Sequence, residues 1–290
     1  MSKPQIAFLG LGLMGSGMAA RLLAAQFPVT VYNRNPEKTK PLAGLGARVA
    51  PTPRAAAEGA DVILSMLADD NASRSLWLGP DGALAAAAPG TLCIECSTVT
   101  VRWVQELAAA VAARCSLFLD TPVTGSKTHA AAGELSFLVG GSTEALEKAR
   151  PVLTAMSKSI THLGPAGSGA LLKLINNFLC GVQVASLAEA LAMIEHSDLN
   201  RDTALGVLTN GAPGSPLIKT VAGRMTVPDY TPNFLLRLMA KDLTYALEEG
   251  AHRSVPLTTA AAALSEFQTA IRAGHGEQDI AAVIEPLRKL

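Results

Sequence analysis

The sequence predicts an α/β fold: a doubly wound, Rossmann-type sheet over residues 1–164, followed by an all-helical domain over 165–290. Three observations predict it. Short apolar strand segments alternate with helical segments as far as about Leu163, the pattern of a parallel sheet covered on both faces. After Gly164-Pro165-Ala166-Gly167 helix follows helix, and no comparable strand returns. Near the N-terminus a glycine-rich turn joins a strand to a helix, as it does where such sheets receive nucleotides.

The first strand is read at 5–9 from the apolar run Ile6-Ala7-Phe8-Leu9, and the first helix at 14–26. Gly10-Leu11-Gly12-Leu13-Met14-Gly15 lies between them. The first glycine permits the tight turn, the second lets backbone approach a pyrophosphate, and the third lets helix pack on strand. The helix start then offers unpaired N–H groups and a partial positive charge to the anion. A second strand at 29–33 ends in Asn33-Arg34-Asn35. An NAD enzyme usually places an acidic residue here for the ribose 2′-hydroxyl. This chain has none, so Arg34 is expected to pair with a 2′-phosphate, Asn33 and Asn35 to donate to it, and Lys38 to lie one turn on. The expected cofactor is therefore NADP, with NADPH preferred over NADH. Asn35 and Pro36 also suit the N-cap and first position of a helix at 35–44.

Strands continue at 47–50, 62–66, 92–96, 116–120, 135–140 and 159–163, with helices at 53–58, 71–77, 80–87, 100–114 and 142–156 between them. Helices then follow at 168–196, 201–210, 216–225, 233–249, 256–273 and 278–287. The first of these is unusually long and makes a spine; alanines 260 to 263 suit close helix approach, and a helical lobe of this kind suits a homodimer or homotetramer.

Charge and composition exclude several classes of partner. Among 290 residues, 49% are hydrophobic, and 24 Lys and Arg balance 24 Asp and Glu, so no basic surface for nucleic acid or anionic membrane is expected. The apolar stretch from Ala170 to Ile194 contains Lys173, Asn176, Asn177, Gln183 and Glu189, which speaks for burial in protein over a membrane span. Lys3 precedes an apolar segment, but that segment holds the glycine motif and is soon interrupted by Arg21, so no export signal is read. Four scattered cysteines fit a reducing cytoplasm. Cys93 and Cys96 have C-x-x-C spacing but fall in a strand, where such positions face opposite sides. The five histidines lie far apart, and no metal site is expected.

In an open α/β sheet the ligand lies beyond the C-terminal strand ends. Met66 and Leu67 leave the fourth strand, Ser97-Thr98 the fifth, and Pro122 to Lys127 the sixth; Met66, Leu67 and Thr98 are expected beside the cofactor. Asp70 and Thr100 read as caps of the helices that follow them. In the spine, Gly169, Lys173 and Asn177 stand at i, i+4 and i+8 and share one face directly after the glycine-rich junction. An isolated lysine usually covers apolar surface with its stem. A lysine and an asparagine together in an apolar helix point instead to catalysis: Lys173 would meet the negative charge that hydride transfer leaves on a carbonyl oxygen, and Asn177 would orient the substrate.

With these residues in view, the chain resembles the β-hydroxyacid dehydrogenase family over nearly its full length. The likeness rests on Gly10 to Gly15, Cys96-Ser97-Thr98, Asp120 through Ser126, Gly167 through Asn177, and Lys241-Asp242-Leu243. It implies that Lys173 is catalytic with Asn177 beside it, that Thr124, Gly125 and Ser126 receive the substrate carboxylate, and that Thr98 and Lys241 contact the cofactor. Phe234 and Asp242 look like pocket residues from the helical half, where the residues alone suggest core packing and a solvated face. The form Thr124-Gly125-Ser126-Lys127 is similar to the glyoxylate/succinic semialdehyde reductases, although His129-Ala130 replaces the Pro-Ala common there. The expected substrate is a small carboxylate-bearing carbonyl compound or hydroxy acid. The alternatives are a 3-hydroxyisobutyrate or tartronate semialdehyde type of dehydrogenase, or a non-catalytic nucleotide-binding scaffold.

Overall fold

Ile6-Ala7-Phe8-Leu9 are all buried, and four consecutive buried residues in an extended segment need cover on both faces, which only an inner strand provides. They form β1 (Ile6–Leu9) of the computed structural model, which describes residues 3–289; residues 1–2 and 290, the outer ends of the two expected segments, lie outside them. In chain order there follow α1 (Gly15–Ala24), β2 (Val29–Tyr32), α2 (Lys40–Ala43), β3 (Arg48–Val49), α3 (Pro53–Ala57), β4 (Val62–Ser65) and α4 (Asp70–Leu78). Next come β5 (Leu92–Glu95), α5 (Val101–Ala112), β6 (Leu117–Asp120), β7 (Val123–Thr124), α6 (Lys127–Ala132), β8 (Leu135–Gly141), α7 (Thr143–Thr154) and β9 (Ser157–Gly164). The helical half comprises α8 (Ser168–Glu195), α9 (Arg201–Asn210), α10 (Pro216–Thr226), α11 (Leu236–His252) and α12 (Thr258–Ala270).

The sheet order is β3-β2-β1-β4-β5-β6-β8-β7, with β9 beside β8. The first six strands are parallel and reverse their order of addition between β1 and β4, the point outside which open α/β sheets bind ligands. Beyond β6 the expected parallel pattern ends: β8 runs antiparallel to both β6 and β7, and parallel to β9. The chain achieves this reversal through β7 and α6, in a region that reads from sequence as a plain loop. Ser126 and His129 make a reciprocal capping box at the start of α6, and Gly133 ends it at φ 75°.

Other expected helices are shorter or tighter. The segment 35–44 divides into a 3₁₀ turn (Pro36–Thr39) and α2, because Pro41 has no N–H to continue an α ladder from the preceding turn. The segment 80–87 is one 3₁₀ turn (Ala83–Ala86), and 278–287 contains another (Ile280–Ile284), ended by Pro286. Helix α12 passes into a wide turn at Ile271–His275, where Gly274 at φ +95° takes the chain out of the helix.

The chain divides into two compact units between Lys173 and Leu174. In the first, Ile6, Phe8, Leu64 and Ile94 from the strands pack with Met18 and Leu22 of α1 and Leu146, Ala149 and Val152 of α7. In the second, Val184, Leu187, Leu191 and Ile194 of α8 pack with Met239 and Leu243 of α11 and Phe267 of α12. Gly181 is the close-approach point: a methyl there would lie 2.9 Å from a Leu243 methyl. Helix α8 is long and apolar enough by composition to cross a bilayer, yet these residues of it are core of the second unit.

Candidate active site

The glycine turn divides into positions the protein itself requires and one it does not. Gly10 has φ +100°, and a Cβ there would overlap the Met66 carbonyl oxygen; at Gly15 a Cβ would overlap the Gly10 carbonyl oxygen. A Cβ at Gly12 would meet nothing within 4 Å, and its φ is outside the left-handed region. The room at Gly12 therefore serves no internal contact, and fits close backbone approach by a pyrophosphate. Helix α1 starts at Gly15 with no side-chain cap and no acidic residue in its first turn, so its positive end is not neutralised locally. The turn fits a dinucleotide. Leu13 is exposed and Met14 precedes the helix.

Asn33, at the end of β2, is turned toward this loop. Its Oδ1 accepts from Leu11 N at 2.8 Å and its Nδ2 donates to Asn35 O at 2.9 Å. Asn35 in turn accepts from Glu37 N at 3.1 Å as the cap of the Pro36–Thr39 turn. Both amides are thus engaged within the chain, and Asn33 ties the glycine loop to the neighbouring strand. Arg34 and Lys38 are exposed, while Glu37 pairs with Lys40 at 2.6 Å. The charge at the tip of β2 is basic.

At the ends of β4 and β5 the cap is Asp69, which accepts from Ala72 N at 2.8 Å. Asp70, expected in that role, instead accepts from Thr100 N and Thr100 Oγ1 at 2.9 and 2.6 Å and joins the starts of α4 and α5. Thr100 does cap α5, through Trp103 N at 3.1 Å. Leu67 N donates to Ser97 Oγ at 2.7 Å, and Ser97 N donates to Glu95 Oε1 at 2.8 Å. The two loops carrying Met66, Leu67 and Thr98 are therefore tied to each other. Glu95 Oε2 accepts from Ser73 Oγ and Trp77 Nε1 at 2.5 and 3.0 Å. Sequence reasoning missed Glu95; four buried residues ending in a carboxylate were its signal.

Beyond β6, Thr124 is half-buried on β7 and Gly125 has φ +126°, a conformation that favours glycine. Ser126 N donates to His129 Nδ1 at 3.1 Å, and Ser126 Oγ lies 2.8 Å from the same nitrogen. Asp120, the last residue of β6, is buried, and its two oxygens accept from Gly167 N and Ala170 N, each at 2.8 Å. Burial pushes this carboxyl up from its ordinary value, while the Gly167 and Ala170 amides pull it down.

Lys173 is half-buried on α8, one turn before Asn177, which is 3% exposed. Asn177 Nδ2 donates to Asp242 Oδ2 at 2.5 Å, and Asn176 Nδ2 donates to Asn177 Oδ1 at 2.9 Å. Asp242 Oδ1 pairs with Lys241 Nζ at 2.9 Å, and that ammonium lies 5.0 Å from the Tyr245 ring centre. The second unit thus brings Asn177 together with Asp242, 65 residues on, and its neighbour Lys241 in one polar cluster. Phe234 is half-buried, and its N–H donates to buried Asp279 Oδ2 at 3.2 Å.

Comparison with known proteins gives matches across the chain. Residues 5–164 match a family described as the NAD binding domain of 6-phosphogluconate dehydrogenase, and residues 167–287 one described as NAD-binding of NADP-dependent 3-hydroxyisobutyrate dehydrogenase. The chain is 37% identical to an NAD-dependent L-serine dehydrogenase of Pseudomonas aeruginosa, covering 96% of each. It is 34% identical to glyoxylate/succinic semialdehyde reductase 1 of Arabidopsis thaliana, covering 98% of each. A solved structure of 3-hydroxyisobutyrate dehydrogenase from Mycobacterium tuberculosis with L-serine superposes with a TM-score of 0.89 at 33% identity, covering 99% of each chain.

Proposed function

Since the chain belongs to the β-hydroxyacid dehydrogenase family and is an NAD(P)-dependent oxidoreductase of CH–OH groups, we propose that it is an NADPH-preferring reductase of a small aldehyde or keto acid, reversible to the hydroxy acid. Glyoxylate, succinic semialdehyde or a similar carboxylate-bearing carbonyl is the proposed substrate, as the relative from Arabidopsis thaliana and the Thr124 to Lys127 loop suggest. One observation carries the reading: on α8, Lys173 stands one turn before Asn177, whose amide is fixed by buried Asp242.

A bound reduced nicotinamide would supply the hydride. Lys173 would donate a proton to the substrate oxygen as the carbonyl carbon is reduced, giving the alcohol and a neutral amine that regains its proton from solvent. Asn177 orients the substrate oxygen, held in one rotamer by Asp242 and Asn176. Thr124, Gly125 and Ser126 hold the substrate carboxylate, with Phe234 and Asp242 contributing from residues 165–290, the proposed substrate and self-association domain. Gly10, Leu11, Gly12, Leu13, Met14 and Gly15 hold the pyrophosphate; Met66, Leu67, Thr98 and Lys241 contact the cofactor. Arg34 and Lys38 favour a 2′-phosphate, with Asn33 and Asn35 shaping that loop. The proposed setting is the cytoplasm, as a homodimer or homotetramer.

NADPH oxidation measured with glyoxylate, succinic semialdehyde, tartronate semialdehyde and methylmalonate semialdehyde tests the reading. Turnover of at least one is expected; none with any carbonyl supports the scaffold alternative. Lys173→Ala is expected to lower kcat about 10²- to 10⁴-fold without loss of NADPH affinity, and an unchanged rate removes Lys173 from the chemistry.

A further inference from the structure

Asp120 is a buried carboxylate at the end of a strand, and its donors lie 47 and 50 residues away in sequence. An ordinary cap belongs to the helix it caps and moves with it. Asp120 differs: it belongs to the sheet, and it grips the start of α8 at two amides three residues apart, Gly167 and Ala170. Two such bonds fix both the axial position and the rotation of the first turn.

The surroundings leave that carboxylate little freedom. Gly140 pairs with Asp120 across β6 and β8, and a Cβ at Gly140 would overlap Asp120 Oδ1. A Cβ at Gly169 would overlap the Leu138 carbonyl oxygen and lie 2.9 Å from Asp120 Oδ2. Gly167 turns the chain into α8 at φ +97°. Lys173 is the residue three on from Ala170, on the adjoining face. A slip of α8 by one residue would shift it by about 1.5 Å and rotate it by about 100°.

We propose that Asp120 is the positioning residue for Lys173, setting the height and rotation at which the ammonium meets the substrate oxygen. The proposal rests on the catalytic reading of Lys173 given above. In Asp120→Asn one amide hydrogen bond survives, and the new NH₂ faces the other backbone N–H. The helix start then loses one of its two fixed points.

The test is a double-mutant cycle on the full chain with NADPH and the best aldehyde of the panel. Asp120→Asn is expected to lower kcat about 10- to 100-fold, with NADPH affinity within about twofold. It is also expected to raise the primary isotope effect on kcat with NADPH deuterated at the transferred position. A loss of folded fraction lowers kcat but leaves the isotope effect unchanged. In a Lys173→Ala background the same substitution should cost nothing further. An additive loss, or an unchanged isotope effect, overturns the role assigned to Asp120. An unaltered rate in Lys173→Ala alone overturns the reading of Lys173 instead. If Asp120→Asn does not fold at the assay temperature, Gly140→Ala, which keeps the carboxylate and crowds it, carries the same expectations.

Discussion

Single residues in this chain separate what folding needs from what a ligand needs. A Cβ at Gly12 would meet nothing within the chain, so Gly12→Ala is expected to unfold at the wild-type urea midpoint yet bind NADPH about 10- to 100-fold more weakly. Equal affinity in that variant would remove the pyrophosphate from this turn. Arg34→Asp is expected to reverse the preference between NADPH and NADH in kcat/KM, and retention of the preference would refute the assignment to Arg34. Cys93 and Cys96 are buried, and burial pushes both thiols up to about 12 from an ordinary 9.0. Their contribution to stability is full below 9.0, where both folded and unfolded thiols hold their protons. It is lost as pH rises toward 12, because the unfolded thiols ionise first. The urea midpoint should therefore fall on the alkaline side, and less steeply in Cys96→Ala. In native protein an alkylating reagent should label exposed Cys115 and leave Cys93 and Cys96 intact.

At the level of elements, the four-residue buried strands were legible because an apolar run flanked by turn residues has one stable use in a covered sheet, whereas their order in the sheet comes only from the structure. The glycine turn was legible for the same reason: its strand and helix neighbours limit what it can be. Helix α6 and strand β7 were not. Lys127 to Ala132 is too short for a periodic pattern, and its cap depends on an imidazole accepting from the backbone, which the residue types do not announce. The roles of Asp120 and Glu95 were hidden because their donors come from other elements, so only the folded sheet identifies them. Asp70 was assigned to the wrong task for a related reason: Asp69 beside it caps equally well, and Thr100, 30 residues on, decides between them. Close approach of α8 and α11 at Gly181 sets a limit of its own. Gly181→Val is expected to destabilise the protein by about 1–3 kcal/mol by urea denaturation, since the added methyls meet Leu243. A neutral result would mean that α11 shifts freely to accommodate them.

For the whole molecule, the two units have separate cores, and the glycine turn proposed to hold the pyrophosphate belongs to the first. Ligand that binds only the folded state stabilises by mass action, so NADPH at about 100 times its Kd should add about 2.7 kcal/mol to the unfolding of that unit. Scanning calorimetry with and without NADPH checks this, and no upward shift would mean that the cofactor does not select the folded first unit. The neutral overall charge suits the proposed recruitment of the cofactor's phosphates by local groups such as Arg34 and the start of α1, not by long-range attraction. Both tryptophans of the chain, Trp77 and Trp103, sit in the first unit, fully buried on α4 and α5, where Trp77 donates to Glu95 and Trp103 to Ser73, itself bonded to Glu95. All indole emission from this protein therefore originates in one half of it, next to the loops proposed to hold the nicotinamide. The molecule carries its own fluorescent reporter: energy transfer from these rings to a reduced nicotinamide would register coenzyme docking in real time.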